Sequence, residues 1–273
     1  MSLPTTEHLR LSLEGGVLTV LFDRPEVRNA MSLKTVSELD ATFDAIADRR
    51  DVRVVVLRGA GGHFCAGGDI KDMAAARGKP LGEDGKDALW EVNRRFGAII
   101  TKVDRAPQAV VALCEGAVLG GGFGVACVSD VTLTAANAKF GLPETGLGIP
   151  PAQIAPFLVR RLGLSQARRL AVTGGRFDGH QAVAIGLAHA VAEPGEALDA
   201  LLASTLKQIL RCAPGAVATT KRLMNDVGRV ELETLLDGAA ESFAVAARGP
   251  EGMEGMMAFM QKREPNWPGG SEA

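Results

Sequence analysis

Four cysteines are all the sequence holds, and Cys65, Cys114, Cys127 and Cys212 stand far apart, with no CxxC pair and no histidine at ligand spacing. That pattern argues against structural zinc, and no metal is expected. Cys114 and Cys127 lie in apolar runs as small core residues would. Cys65, between Phe64 and Ala66, reads as more exposed, yet it has no histidine partner that would make it a nucleophile. An excess of positive charge is also missing: 30 Lys and Arg against 32 Asp and Glu leave a net charge of −2, with no electrostatic footprint for nucleic acid. No apolar run approaches the ~18 residues that span a bilayer, and no basic segment followed by an apolar one opens the chain. The expectation is a cytoplasmic protein with no membrane partner. Repeats and low-complexity tracts are absent too. What remains is an ordinary soluble composition, 47% hydrophobic and 23% charged over 273 residues, enough for one large core or a domain with a smaller appendage.

The apolar pattern is mixed. Residues Leu9 to Phe22 alternate around Glu14-Gly15-Gly16, which predicts a hairpin. Leu33, Val36, Leu39, Phe43 and Ile46 recur at helical spacing behind Ser32, a plausible N-cap. Val52 to Leu57 and Pro107 to Cys114 are β-branched or apolar runs suited to a sheet buried on both faces. Between them a helical stretch opens at about Asp69, a polar loop covers 77–87, and a second helix runs through Leu89, Phe96, Ile100 and Val103. The glycine stretch is expected to follow the second run directly. Short strands at Val131 to Leu133 and Leu187 to Val191 flank helical patterns at Pro151 to Leu162 and Ser165 to Val172. Only helices follow Gly195.

Two segments, Ala66-Gly67-Gly68-Asp69 and Gly120-Gly121-Gly122, share the order strand, glycine loop, helix. Such a loop presents unpaired backbone N–H groups at the positive end of a helix, and glycine lets that backbone approach a ligand closely. Two loops can aim one N–H each at a shared oxygen, as an oxyanion hole does. The phosphate-cradle alternative lacks both GxxxxGK[ST] and GxGxxG with a following acidic residue. Tight packing of helix on sheet is the competing reason for the glycines.

Phe64-Cys65-Ala66-Gly67-Gly68-Asp69-Ile70-Lys71, Gly116-Ala117-Val118-Leu119-Gly120-Gly121-Gly122 and Phe140-Gly141-Leu142-Pro143-Glu144 resemble three successive signatures of the crotonase (enoyl-CoA hydratase/isomerase) superfamily. Arg24-Pro25, Asn29-Ala30, Asp130, Thr173-Gly174 and the terminal AFMQKR extend the resemblance over nearly the whole chain. The resemblance implies an α/β fold, a spiral of ββα turns over 1–194, and a helical trimerisation region over 195–273, assembled as a homotrimer or a dimer of trimers. It implies no cofactor, because coenzyme A is part of the substrate. By position, Gly68 and Gly121 would hold the thioester oxygen and Glu144 would move protons. Ala66, Asp69, Ile70 and Lys71 would line the CoA channel, with Arg28 beside it and Lys262 reaching CoA on a neighbouring subunit.

Hydratases of this family carry a second glutamate where this chain has Gly124. A lone carboxylate suits a double-bond isomerase. Against that, Pro151-Ala152-Gln153-Ile154-Ala155-Pro156-Phe157 resembles the P-A-x-I-x-P-F pattern of hydratases acting on isohexenylglutaconyl-CoA and 3-methylglutaconyl-CoA. Addition of water to a branched 2-enoyl-CoA bearing a carboxylate is therefore the leading expectation; a single-glutamate isomerase and a thioester hydrolase stay open beside it. His63 reads as a solvated loop residue and Asp130 as a structural hydrogen-bonding group. Phe123, Phe140 and Phe157 are candidates for the acyl pocket or the core.

Overall fold

The computed structural model describes residues 2–82 and 85–267; Glu83 and Asp84 of the polar loop and the last six residues of the helical region lie outside them. Strands β1 (Leu9–Glu14) and β2 (Val17–Phe22) form the hairpin, and α1 (Leu33–Ile46) crosses to β3 (Val54–Gly59). Helices α2 (Ile70–Arg77) and α3 (Ala88–Arg105) lead to β4 (Ala109–Cys114). Then come β5 (Ala117–Leu119), α4 (Gly121–Val128), β6 (Val131–Ala135), β7 (Lys139–Gly141), α5 (Ala155–Thr173), β8 (Arg176–Phe177), α6 (Gly179–Ala184) and β9 (Ala190–Ala192). Four helices complete the described residues: α7 (Glu196–Leu210), α8 (Pro214–Asp226), α9 (Leu232–Arg248) and α10 (Pro250–Gln261).

Six strands pair in the order β1-β2-β3-β4-β6-β9, antiparallel at the hairpin and parallel from there on. Because side chains alternate across a strand, β3 and β4 feed two cores. Val55, Leu57, Val110, Ala112 and Cys114 face α1, α3 and α4, whereas Val54, Val56, Val111 and Leu113 pack beneath Leu198 and Leu202 of α7. The alternation explains why both runs are apolar at every position.

The glycine stretch does not follow β4 directly. The chain first turns into β5, which pairs with β7 and, through it, β8 in a second, three-stranded sheet. Strands of two or three residues are too short to show a period. Helix α5 joins the two helical patterns across a kink at Gly163, whose φ of 72° lies outside helical space. Elsewhere local chemistry acts as expected: Ser32 accepts from the Thr35 N–H at 3.1 Å as the N-cap of α1, and Asp69 accepts from the Lys71 N–H at 2.9 Å as that of α2.

Candidate active site

The two glycine loops lie side by side. The Cys65 N–H donates to Ala117 O, and the Leu119 N–H donates to Cys65 O, each at 2.9 Å. A Cβ on Gly122 would stand 2.6 Å from Cys65 Cβ, so only bare backbone allows the approach there, and Gly67 holds a φ of 109° that L side chains rarely adopt. On the other side, the Met31 N–H donates to Gly67 O and the Asp69 N–H to Met31 O, which leaves the N–H of Gly68 turned away from that ladder. Gly121 is the first residue of α4, where no intrahelical acceptor exists. Among the described residues, neither N–H has a hydrogen-bond acceptor.

Both glycines line one cavity of about 210 Å³. Ala66, Asp69, Ile70 and Glu144 line it as well, with Met31, Val92, Phe96 and Ile154 among its apolar walls. A larger cavity, about 680 Å³, lies under α8, but its charges are spent on structure: Lys221 pairs with Asp130 at 2.6 Å, and neither glycine loop reaches it. The smaller one therefore gathers the candidate catalytic residues.

Glu144 opens a short 3-10 turn after β7, and its Oε1 comes so near Gly120 that a Cβ there would lie 2.9 Å away. Its Oε2 is buried without a partner. Burial pushes the carboxyl above its ordinary value, partly offset by a hydrogen bond from its own backbone N–H. An acid of this kind is suited to proton transfer near neutral pH.

The position of the family's other glutamate is tight. A Cβ on the buried Gly124 would meet Ile154 Cγ1 at 3.0 Å and Phe96 Cζ at 3.2 Å. The Phe96 ring also covers Gly121, with Cε2 at 3.3 Å from a Cβ there. Sequence reasoning missed this wall. Phe96 repeats in α3 like any core residue, and nothing local says that its ring crosses two glycines of α4.

Other expected residues are placed as follows. Asp69 forms an ion pair with Arg24 at 2.9 Å; burial raises its carboxyl, but the Lys71 N–H and the Arg24 guanidinium outweigh burial and hold it below the ordinary value. Ile70 is 71% exposed, an apolar side chain standing at the mouth of the cavity. Lys71, Arg28 and Lys262 lie outside the cavity lining; Arg28 and Lys262 have left-handed backbones, with φ of 52° and 55°.

Two expectations are corrected and one pair of alternatives is decided. Cys65 is fully buried, and desolvation pushes its thiol up to about 11, so it is no nucleophile. His63 is not merely solvated: its Nδ1 accepts from the Ala117 N–H at 3.1 Å, a staple between the two loops. Phe123 and Phe140 pack with Phe177 in a buried aromatic cluster, and Phe157 sits by the larger cavity under the Arg160 guanidinium, so none reaches the acyl site. Asp130, as expected, is structural, accepting from the Val110 N–H at 2.7 Å.

Comparison with known proteins agrees with this geometry. The solved structure titled Pseudomonas aeruginosa AtuE is 56% identical, with a TM-score of 0.91, covering 95% of this chain and 98% of that one. The short-chain-enoyl-CoA hydratase of Clostridium acetobutylicum is 32% identical over 93% of this chain and 95% of its own. The mitochondrial methylglutaconyl-CoA hydratase of Mus musculus is 29% identical over 93% of this chain and 80% of its own. The family described as enoyl-CoA hydratase/isomerase matches residues 12–270. Two loops stitched around unpaired N–H groups, in a chain matched over nearly its whole length, place this protein among the enzymes of the enoyl-CoA hydratase/isomerase family, the crotonase superfamily.

Proposed function

We propose that the protein adds water across the Cα=Cβ bond of a 2-enoyl-CoA, and that its acyl group is a branched glutaconyl derivative of the isohexenylglutaconyl or 3-methylglutaconyl type. The observation that carries the reading is the meeting of two acceptor-free N–H groups, Gly68 and Gly121, with the desolvated Glu144 in one mainly apolar cavity. The thioester oxygen accepts from both N–H groups. Water adds at Cβ, giving up a proton to Glu144, and the electron pair of the double bond moves onto the thioester as an enolate. The proton is then returned to Cα. Donors held in place for the enolate oxygen stabilise it without reorganising as its charge grows.

The absence of a carboxylate at the tightly packed Gly124 favours a second reading, a one-carboxylate isomerase that takes a proton from one carbon and returns it to another. Incubation with the two glutaconyl-CoA substrates, crotonyl-CoA and a 3-enoyl-CoA separates them. Loss of the conjugated-thioester absorbance with a gain of one water in mass supports hydration. Appearance of that absorbance from the 3-enoyl substrate supports isomerisation instead, and free thiol supports hydrolysis. Replacing Gly68 with Pro deletes one donor at a place where the nearest atom to an added Cβ is Met73 Cε at 4.0 Å. That variant is expected to lose about 100-fold in kcat/KM; unchanged turnover in a folded Gly68→Pro protein would remove Gly68 from the site.

Ala66, Ile70 and Lys71 are the groups proposed to meet CoA, with Arg28 nearby; Asp69 shapes that wall while bound to Arg24. We further propose that residues 195–273 drive assembly into a trimer or a pair of trimers, with Lys262 contacting the neighbour's CoA. Phe243, Val245, Met256, Phe259 and Met260 on α9 and α10 are exposed in the single chain, apolar side chains that neighbouring copies would cover. Sedimentation equilibrium is expected to give three or six chains; a monomer at micromolar concentration would overturn the assembly.

A further inference from the structure

Most polar side chains around the acyl cavity have other work. Ser32 caps α1, Asp69 caps α2 and pairs with Arg24, and Asp72 Oδ2 accepts from the Leu33 N–H at 2.6 Å. Glu144 is the proton-moving group of the reading above. Two neutral amides remain on the wall, Asn93 from α3 and Gln153 just before α5.

These two amides are joined and oriented. Gln153 Nε2 donates to Asn93 Oδ1 at 3.0 Å. Gln153 Oε1 lies over Gly97, where an added Cβ would be only 1.9 Å from it. Glycine inside an 18-residue helix costs about 1 kcal/mol relative to alanine, so position 97 is spending helix stability on the seat of this side chain. With Oε1 against the helix and one N–H given to Asn93, the pair still has the other Gln153 N–H and both Asn93 N–H groups, none with an acceptor among the described residues. Three of the four unpaired functions of the pair are donors, the fourth being Gln153 Oε1 against Gly97. The donors call for an acceptor on the substrate. Gln153 also precedes the start of α5 at Ala155, whose positive end favours a negative group. Asn93 is exposed, so an anion held here keeps water on one side and avoids the cost of full burial.

We propose that the Asn93–Gln153 amide pair, seated on Gly97, is the element that recognises the second carboxylate of a dicarboxylic acyl-CoA. The proposal rests on the glutaconyl reading for its substrate, but its test does not depend on water addition.

The test is equilibrium binding of two saturated thioesters, 3-methylglutaryl-CoA and isovaleryl-CoA, which differ only in that carboxylate and cannot be hydrated. The native protein is expected to bind the diacid at least 10-fold more tightly, as hydrogen bonds to a charged group allow. Gln153→Leu, and Gly97→Ala, which expels the amide while keeping it in the chain, are each expected to cut that ratio about 10-fold with the isovaleryl-CoA Kd unchanged. Gln153→Glu, by placing like charges together, is expected to reverse the preference. A native protein that does not distinguish the two thioesters, or variants that keep the native ratio, overturns the proposal. Failure to hydrate any 2-enoyl-CoA, with the binding ratio intact, overturns the hydratase reading alone.

Discussion

Replacing Glu144 with Gln is expected to lower kcat for water addition by about 10³-fold, within the range that a positioned proton-transfer group supplies, with KM changed only a few-fold. The amide keeps the shape of the side chain beside Gly120 and the cavity walls, but it cannot take a proton. Burial sets the sign of two further readouts. Because desolvation holds the carboxyl above its ordinary value, the acidic limb of the native kcat/KM profile is expected above the usual carboxylate range, and the Gln variant should lack that limb. Stability moves the other way. A carboxyl whose folded pKa is raised contributes stability that is fully present below its unfolded value, about 4.3 for Glu, and is lost as pH rises through the folded value. Above its folded value the native carboxyl carries a buried charge that Gln lacks, and there Glu144→Gln should melt at the same temperature or higher. The gap should close on acidification. A variant that melts lower and loses activity in proportion would show a structural role; undiminished turnover would remove Glu144 from the mechanism altogether.

Features that act within a few residues of chain were legible before any coordinates. The hairpin around Gly15-Gly16, the Ser32 cap and the doubly buried β3 and β4 all follow from short-range pattern, whereas the grouping of Gly68, Gly121 and Glu144, which line one cavity, was implied only by the family resemblance. Strands β5, β7 and β8 escaped because each has only two or three residues and owes its existence to pairing with distant chain. The same limit applied to the site. Phe96, Ile154 and Gln153 act through contacts between α3, α4 and the 150–154 segment, which no periodicity reports. The three phenylalanines left between the acyl pocket and the core do not line the cavity: two fill the core with Phe177 and the third faces another cavity.

Installing the missing carboxylate, Gly124→Glu, is expected to destabilise the protein by more than about 4 kcal/mol, with no gain in hydration. Two costs combine. Overpacking a filled core costs ~1–3 kcal/mol, and here the first added atom already meets Ile154 at 3.0 Å and Phe96 at 3.2 Å before the rest of the side chain is placed. An unpaired carboxylate among apolar groups adds several kcal/mol more, or else stays protonated and useless as a base. Gly124→Ala isolates the first cost and should lose no more than about 1 kcal/mol, because the neighbouring atoms need give by only a few tenths of an ångström. If the wall is the obstacle, adding Phe96→Ala and Ile154→Ala to Gly124→Glu should recover part of the loss, with a coupling of at least about 1 kcal/mol in denaturant melts. Full native stability in the single Gly124→Glu variant would mean that Phe96 and Ile154 yield easily. The lone carboxylate would then be a matter of one residue rather than of a rebuilt wall. The packing argues for the rebuilt wall: Phe96 and Ile154 crowd the first atom of any side chain at position 124, and Gln153, next to Ile154, puts a neutral amide beside them.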